Sequence, residues 1–396
     1  MYSGDKVNGT AKESARMALD LSKANASQKP AIQAAREADA WSCVNVQPRC
    51  RSQLNAGERV RLERFAFEHA TAAESYDIVI SNGSYLETPC KNGVISVLPQ
   101  GRFWHASGSL MAPDEFKPEM VRWLKRVCES QKKTLAVYSV GADEAPLFVD
   151  AGFEVSKFGE EPILDLGGIA WRGKEFEWVR RQTNFCLRAG LEVVEVAAEA
   201  ERRAVSDELI EIMHEDLKLR TYPKPLRLLE GQFDPLLLFR RRLFVARSQT
   251  TGRIQGFLAC SPMLNGKAWA FETYRKRQDA PRGTTPFLFR DVIDRLQAEG
   301  VRNVSLCLVP GRGLQINAKP PSSKMASFAM SLWYKRLNFL FNTKGQDFFK
   351  SRFRPRYVHR YICVTPKTTV RSMVSFLVAT GGIKPHVGNL VRNLWK

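Results

Sequence analysis

The chain has 396 residues, 44% of them hydrophobic, enough for two packed domains because single cores stop growing near ~250–300 residues. Sixty Lys and Arg against 41 Asp and Glu leave a formal charge of +19, which suits phosphate-rich partners such as tRNA or an anionic bilayer surface, although a basic protein with no such partner has the same count. Eight scattered cysteines (Cys43, Cys50, Cys90, Cys128, Cys186, Cys260, Cys307, Cys363) show no CxxC pair or zinc-like spacing, the first forty residues lack a signal-peptide pattern, and no apolar run reaches the ~18 residues of a membrane span. These features predict a cytoplasmic protein with reduced thiols, no metal, and membrane contact only from the side.

Residues 1–57 read as a polar lead, Ala-rich and broken by Lys, Asn and Gln, with globular structure starting at Glu58. Residues 94–98 and 102–106 predict a hairpin turning at Pro99-Gln100-Gly101. Phe116, Met120, Trp123, Leu124 and Val127 recur at helical spacing; residues 135–140 then predict a buried strand, 145–153 a short helix ending at a glycine, and 162–166 another strand. The second half repeats this order: a helix at 207–218, a meander of 242–246, 254–260 and 267–274 with turns at Thr251-Gly252 and Asn265-Gly266, a helix at 284–299 stopped by Gly300, and a strand at 304–308. The expected fold is α/β (α+β), two GNAT-like acyltransferase units in tandem. Their limits are 58–171 (degenerate) and 172–366 (catalytic), packed together with a junction near 170–174, followed by an amphipathic tail at 367–396.

Three segments carry chemistry. In the helix before Gly190, Glu177, Arg180, Arg181, Asn184 and Arg188 share one arc, while Phe176, Val179, Thr183, Cys186 and Leu187 share another. Such a cationic face is either plainly solvated or a phosphate contact through arginine forks. At the junction 271–283, alternation puts Phe271, Thr273 and Arg275 on one strand face and Glu272 and Tyr274 on the other, before a helix N-terminus able to hold an anion. Gln278-Asp279-Ala280-Pro281 departs from the Q/R-x-x-G-x-G/A pattern of CoA-using enzymes, which disfavours acetyl-CoA. Residues 337–361 interleave cations with Phe, Tyr and His, as a nucleic-acid grip would, or as a basic helix packed by its phenylalanines.

The order GEEPILDL (159–166), RRQTNFCLRAG (180–190), FETYRKRQDAPRG (271–283), SLCLVP (305–310) and FFKSRFRPRYVHRYICV (348–364) resembles the C-terminal domain family of phosphatidylglycerol lysyltransferases, also called DUF2156. The resemblance runs from about residue 76 to residue 364. It implies two tandem GNAT folds that take an amino acid from aminoacyl-tRNA and transfer it to a lipid hydroxyl, with no cofactor. Where the family's strand has Asp three residues before Arg, this chain has Glu272 and Arg275, a carboxylate one carbon longer, which leaves the carried amino acid open. The resemblance does not reach the transmembrane flippase region of the bacterial enzymes, so self-contained lipid export is not implied.

An aminoacyl ester is already activated, so transfer needs alignment, a proton acceptor and stabilisation of the oxyanion rather than a covalent nucleophile. Glu272 is expected to hold the amino group or act as base, and Arg275, with Arg277, to hold phosphate of the lipid head or the tRNA end; Tyr361 is the third catalytic candidate, as a hydrogen-bond donor. Arg277 and Asp279, with Arg180, Arg181 and Asn184, are candidate substrate contacts, and Lys350, Arg352 and Arg360 are expected to extend a tRNA track. The five histidines (His69, His105, His214, His359, His386) are expected to be structural. The implied partners are aminoacyl-tRNA and an anionic phospholipid or other lipid hydroxyl, at the inner face of the membrane. The alternatives are an acyl-CoA-dependent or peptide-directed N-acyltransferase, and a non-catalytic RNA- or membrane-binding module.

Overall fold

A computed structural model of the chain describes residues 41–389 apart from 77, 79–82, 223, 231–232, 315–322, 337–339, 341 and 387–388. Packing begins earlier than Glu58. Trp41 is buried edge-on against Trp123, whose indole N–H donates to the Cys43 carbonyl at 2.9 Å, and Arg49–Cys50 forms a short strand, β1. Residues 41–57 thus belong to the packed structure; the expected lead at 1–40 lies outside the described residues.

Helix α1 (Ala56–His69) opens on a reciprocal cap: Glu58 N–H donates to the Asn55 side chain at 2.9 Å, and the Glu58 carboxylate accepts from Asn55 N–H at 3.1 Å. Strands β2 (Ser84–Glu87), β3 (Val94–Gln100) and β4 (Phe103–Met111) form an antiparallel meander that contains the expected hairpin, with Gly101 at φ 61° in its turn. Helix α2 (Lys117–Ser130) then returns the chain so that β5 (Thr134–Gly141) runs parallel to β4. After α3 (Ala145–Asp150), β6 covers Glu154–Asp165, much more than the predicted 162–166. Its N-terminal part was hidden in the sequence by buried polar residues that are satisfied only in the fold. Lys157 pairs with Glu160 at 2.8 Å, and Glu161 accepts from Ser305 and Arg360.

The second half repeats the plan. Helix α4 (Glu177–Arg188) precedes β7 (Leu191–Glu195), and α5 (Glu199–Leu219) precedes the meander of β8 (Arg242–Ser248), β9 (Ile254–Met263) and β10 (Ala268–Lys276). Helix α5 starts ahead of the predicted residue 207 because the Glu201 carboxylate caps it, accepting from Ala198 N–H at 3.1 Å. Helix α6 (Thr284–Ala298) stops before Gly300, at φ 79°, and β11 (Asn303–Ser305) runs parallel to β10. Three antiparallel strands, a crossing helix and a parallel strand therefore occur twice, as a tandem GNAT-like fold requires.

Beyond β11 come β12 (Val309–Pro310), α7 (Lys324–Arg336), α8 (Thr343–Ser351), β13 (Arg356–Thr365) and α9 (Val370–Thr380). Among the described residues all thirteen strands join one sheet, ordered β1-β2-β3-β4-β5-β13-β6-β11-β10-β9-β8-β7, with β12 also on β6. The two units, expected to pack together with a junction near 170–174, are continuous in one sheet through β6 and β11, and β13 from the second half is inserted between β5 and β6 of the first. The registers Arg360↔Gly141 and Arg356↔Ile163 fix it there. Each half keeps its own core, one around Trp104, Trp123 and Phe148, the other around Phe244, Phe271, Phe289 and Phe353. Helix α9 docks through Ser375, whose hydroxyl lies 3.0 Å from His105 Nε2, so the apolar run at 373–379 is a packed helix with one exposed face.

Candidate active site

Strands β10 and β11 pair for only three residues, from Ala268↔Asn303 to Ala270↔Ser305. Beyond that point β10 continues to Lys276 while the other arm turns away at Cys307, held at φ 64°, so the predicted strand 304–308 ends early and the two strands part as a V. On the far edge of β10 the register with β9 slips: Phe271 faces Cys260 and Thr273 faces Ala259, leaving Glu272 as a bulged extra residue. A bulge breaks strict alternation and re-aims a side chain. Glu272 and Arg275, expected on opposite faces, accordingly line one cavity of about 200 Å³ with Tyr274, Cys307 and Lys350.

The first half contains the matching V, where β4 and β5 separate after Ser107↔Tyr138 and Ser139 sits at φ 62°. Here the opening is plugged by the turn Ala73–Tyr76. Gly108 (φ 84°) admits it, since a Cβ there would lie 2.8 Å from the Ser75 Cα, and the Ser75 and Ser109 hydroxyls are 2.9 Å apart. The plug presents Glu74 to the cavity of the second half, together with Ser139.

Glu272 has a side chain only 4% exposed. Its Oε2 accepts from Arg241 Nη2 at 2.8 Å and from the Ser261 hydroxyl, while Oε1 is buried with no hydrogen-bond partner. An unpartnered carboxylate oxygen in a polar cavity is a ready acceptor for an ammonium. Glu74 accepts from Ser139 Oγ at 3.3 Å; burial, reinforced by the neighbouring Glu161 charge and opposed by Arg360, pushes its carboxyl up from 4.5 to about 7. Lys350 Nζ donates to the Cys307 and Leu308 carbonyls at 2.9 and 3.3 Å, and burial lowers its pKa. The Cys307 thiol is pushed well above its ordinary range by burial, which removes it as a nucleophile. Arg275 is tied up in a network: Nε reaches Asp216 at 2.9 Å, Nη2 reaches Glu230 at 3.2 Å, Nη1 donates to the Tyr274 carbonyl, and Arg220 bridges the same two carboxylates at 2.6 Å. It is 9% exposed, so its substitution takes a counter-charge from the partly buried Asp216 and Glu230 carboxylates and costs stability as well as any ligand contact.

The remaining candidates are not brought to this cavity. Tyr361 is packed in the first core with Trp104 and Val140, because the register shifts on both edges of β13 at this residue turn its ring inward. Arg360 is buried against Glu161, and Arg352 lies over the Phe348 and Trp178 rings, so with the buried Lys350 these three do not form an exposed track. Arg180 donates to the Trp171 and Gly173 carbonyls, Arg181 and Asn184 are exposed, and Asp279 pairs with Arg253 at 2.8 Å on the surface. The N-terminus of α6 is covered by Gln182, within about 3 Å of where a Cβ on Gly283 would stand, so it is not an open anion site. On α4, Val179, Thr183 and Cys186 are buried as expected, but Leu187 is 54% exposed.

Arg277 is 2% exposed and binds structure rather than substrate. It donates to the Ile254 carbonyl and pairs with Glu208, Glu211 and Glu215 along α5 at 3.1, 2.6 and 2.6 Å. Arg277→Ala strands three carboxylates on one helix face and is expected to cost about 2–3 kcal/mol, with transfer activity per folded molecule unchanged. Paired thermal melts and assays below the transition check this, and a wild-type melting temperature would refute it.

Residues 63–364 match the family described as phosphatidylglycerol lysyltransferase, C-terminal. The chain belongs to that family. A phosphatidylglycerol lysyltransferase from Bacillus subtilis (strain 168) is 23% identical over 256 residues, which are 63% of this chain and 28% of that protein, so the chain spans under a third of this relative's length. Two family structures share the fold. The C-terminal domain (DUF2156) of a putative lysylphosphatidylglycerol synthetase from Agrobacterium fabrum covers 84% of this chain and 97% of its own at TM-score 0.67 and 20% identity. L-PGS from Bacillus licheniformis covers 82% and 96% at TM-score 0.68 and 18% identity. Sequence reasoning found Glu272, Arg275 and Lys350 but missed Glu74, Ser139 and Glu230, which reach the cavity from loops, turns and the other half, and Arg241, which holds Glu272 from behind; the only sequence trace was a carboxylate inside the short apolar stretch Ala72-Ala73-Glu74-Ser75-Tyr76.

Proposed function

We propose that the chain transfers an aminoacyl group from aminoacyl-tRNA to the hydroxyl of a lipid such as phosphatidylglycerol, acting from the cytoplasmic side of a membrane. The observation that carries this is the free Oε1 of Glu272, buried in the cavity that Glu74 and Lys350 also line. Glu272 holds an amino group of the aminoacyl moiety. The Glu74 carboxylate takes the proton of the acceptor hydroxyl as its oxygen attacks the ester carbonyl. The bond to the tRNA ribose then breaks, and the ribose oxygen leaves with the proton that Glu74 took from the acceptor, which returns the carboxylate to its starting state. Two N–H groups of Lys350 are held by backbone carbonyls, which leaves the third for the oxyanion. Residues 58–171 and 172–366 read as successive copies of one unit, with β13 lent by the second to the first, and the splayed strands of the second copy hold the reaction.

The test is transfer of label from aminoacyl-tRNA to extracted lipid, run beside acyl-CoA as a rival donor. Label is expected in lipid from tRNA only. The tRNA affinity is expected to fall at least about tenfold between 50 and 200 mM salt, because each neutralised phosphate releases counterion. Transfer from acyl-CoA alone, or a salt-independent tRNA affinity, would overturn the reading.

A further inference from the structure

Helices α7 and α9 stand on either side of an apolar groove of about 330 Å³, lined by Ala329, Trp333, Met373 and Leu377 among others. Each helix also turns a stripe of apolar side chains outward: Met325, Phe328 and Leu332 on α7, and Val370, Val374 and Val378 on α9, with Phe328 69% exposed. Spacings of three and four residues put each stripe on one helix face. Exposed cations surround them: Lys324, Lys335 and Arg336 on α7, Lys367 and Arg371 at the start of α9, and Lys384 after it. None of these six pairs with a carboxylate among the described residues.

From residue 300 to residue 396 the sequence holds seventeen Lys and Arg and a single acid, Asp347, which is bound to Arg312 at 2.8 Å. We propose that the outer faces of α7 and α9 form one docking surface for an anionic bilayer, a step that rests on the lipid-acceptor reading and says where the lipid is met. Apolar side chains ringed by cations complement acyl chains beneath negative headgroups, and the carboxylate at their margin, Glu154, accepts from the Thr368 backbone N–H at 2.6 Å. A second copy of the same face would meet like charge and is disfavoured. Neither helix is long and apolar enough to cross a membrane, so both lie flat in the interface. The groove shares Phe158, Leu229 and Pro310 with the catalytic cavity, so docking brings that cavity next to the headgroups.

The experiment is co-sedimentation of the full chain with vesicles of phosphatidylglycerol and phosphatidylcholine against vesicles of phosphatidylcholine alone. Phe328→Ser with Val378→Ser removes apolar contact, and Lys335→Glu with Arg336→Glu reverses charge; Phe328 and Val378 line neither cavity, and all four side chains are exposed. Wild-type chain is expected to bind anionic vesicles at least about tenfold more tightly than neutral ones, and each double variant to lose about tenfold. Melts and transfer to a monomeric short-chain phosphatidylglycerol should stay at wild-type level. Undiminished vesicle binding by both variants would overturn the surface, as would a wild-type dimer that Phe328→Ser dissociates. Loss of vesicle binding in the variants, with no transfer by any form of the protein, supports the docking surface while removing the transfer reading.

Discussion

Glu272→Gln is expected to lower kcat/KM for aminoacyl transfer by about 10² to 10³-fold, because the substitution keeps the shape of the side chain and removes the charge proposed to meet a substrate ammonium. One oxygen of Glu272 is already held by Arg241 and Ser261, which fixes the carboxylate and leaves the other without a partner at the cavity, so that the proposed contact carries no further ordering cost. The same change removes the Glu272 charge from beside the Arg241 guanidinium, 0% exposed, so the melting temperature should fall as well. Ser261→Ala separates the two effects: it deletes a hydrogen bond to Oε2 but no charge, and less than about a tenfold loss of activity is expected. Steady-state transfer from labelled aminoacyl-tRNA, with a melt of each variant, makes the comparison. Wild-type turnover in Glu272→Gln would remove the carboxylate from substrate recognition.

Glu74→Gln is expected to abolish most transfer while making the folded protein more stable at alkaline pH. The folded chain binds the Glu74 proton more tightly than the unfolded chain, with a pKa near 7 against 4.5. Its contribution to stability is therefore fully present below pH 4.5 and is lost as pH rises to about 7, above which the desolvated carboxylate costs about 3 kcal/mol. Glutamine carries no such cost, so the variant should melt higher than wild type at pH 8 and nearly equal to it at pH 4.5. As a base the group works only when ionised, so wild-type kcat should rise with pH up to about 7, and the variant should lose both that rising limb and about 10² to 10³ in rate. A variant that keeps the limb would show that another group accepts the proton.

The parts of this architecture visible in the sequence are those that local rules specify. The turn at Asn265-Gly266, both at positive φ, and the stop of α6 before Gly300 were legible because backbone chemistry dictates them. Glu272 was legible as a carboxylate at a strand end, but its orientation was not, since one inserted residue between Phe271 and Thr273 cancels the alternation. Arg277 was misread for a physical reason: a cation just before a helix resembles an anion ligand until Glu208, Glu211 and Glu215, about one helical turn apart on α5, are seen to take it. Glu74 left almost no trace, because its meaning comes from a three-dimensional plug that fits only beside Gly108. The insertion of β13 was equally hidden, since no local pattern says which strands a partner will lie between.

That insertion has a consequence for how the protein comes into being. Strands β5 and β6 follow one another within some thirty residues, yet they are separated in the sheet by a strand made about two hundred residues later. While the ribosome is still working, β5 and the N-terminal part of β6 present unpaired edges, and the first half cannot close before Arg356–Thr365 has emerged. Folding of such a chain is dominated by distant pairings and is slow, with its open edges exposed to self-association in the interval. A nascent chain arrested before Arg356 should accordingly be a client of chaperones rather than a folded half-enzyme.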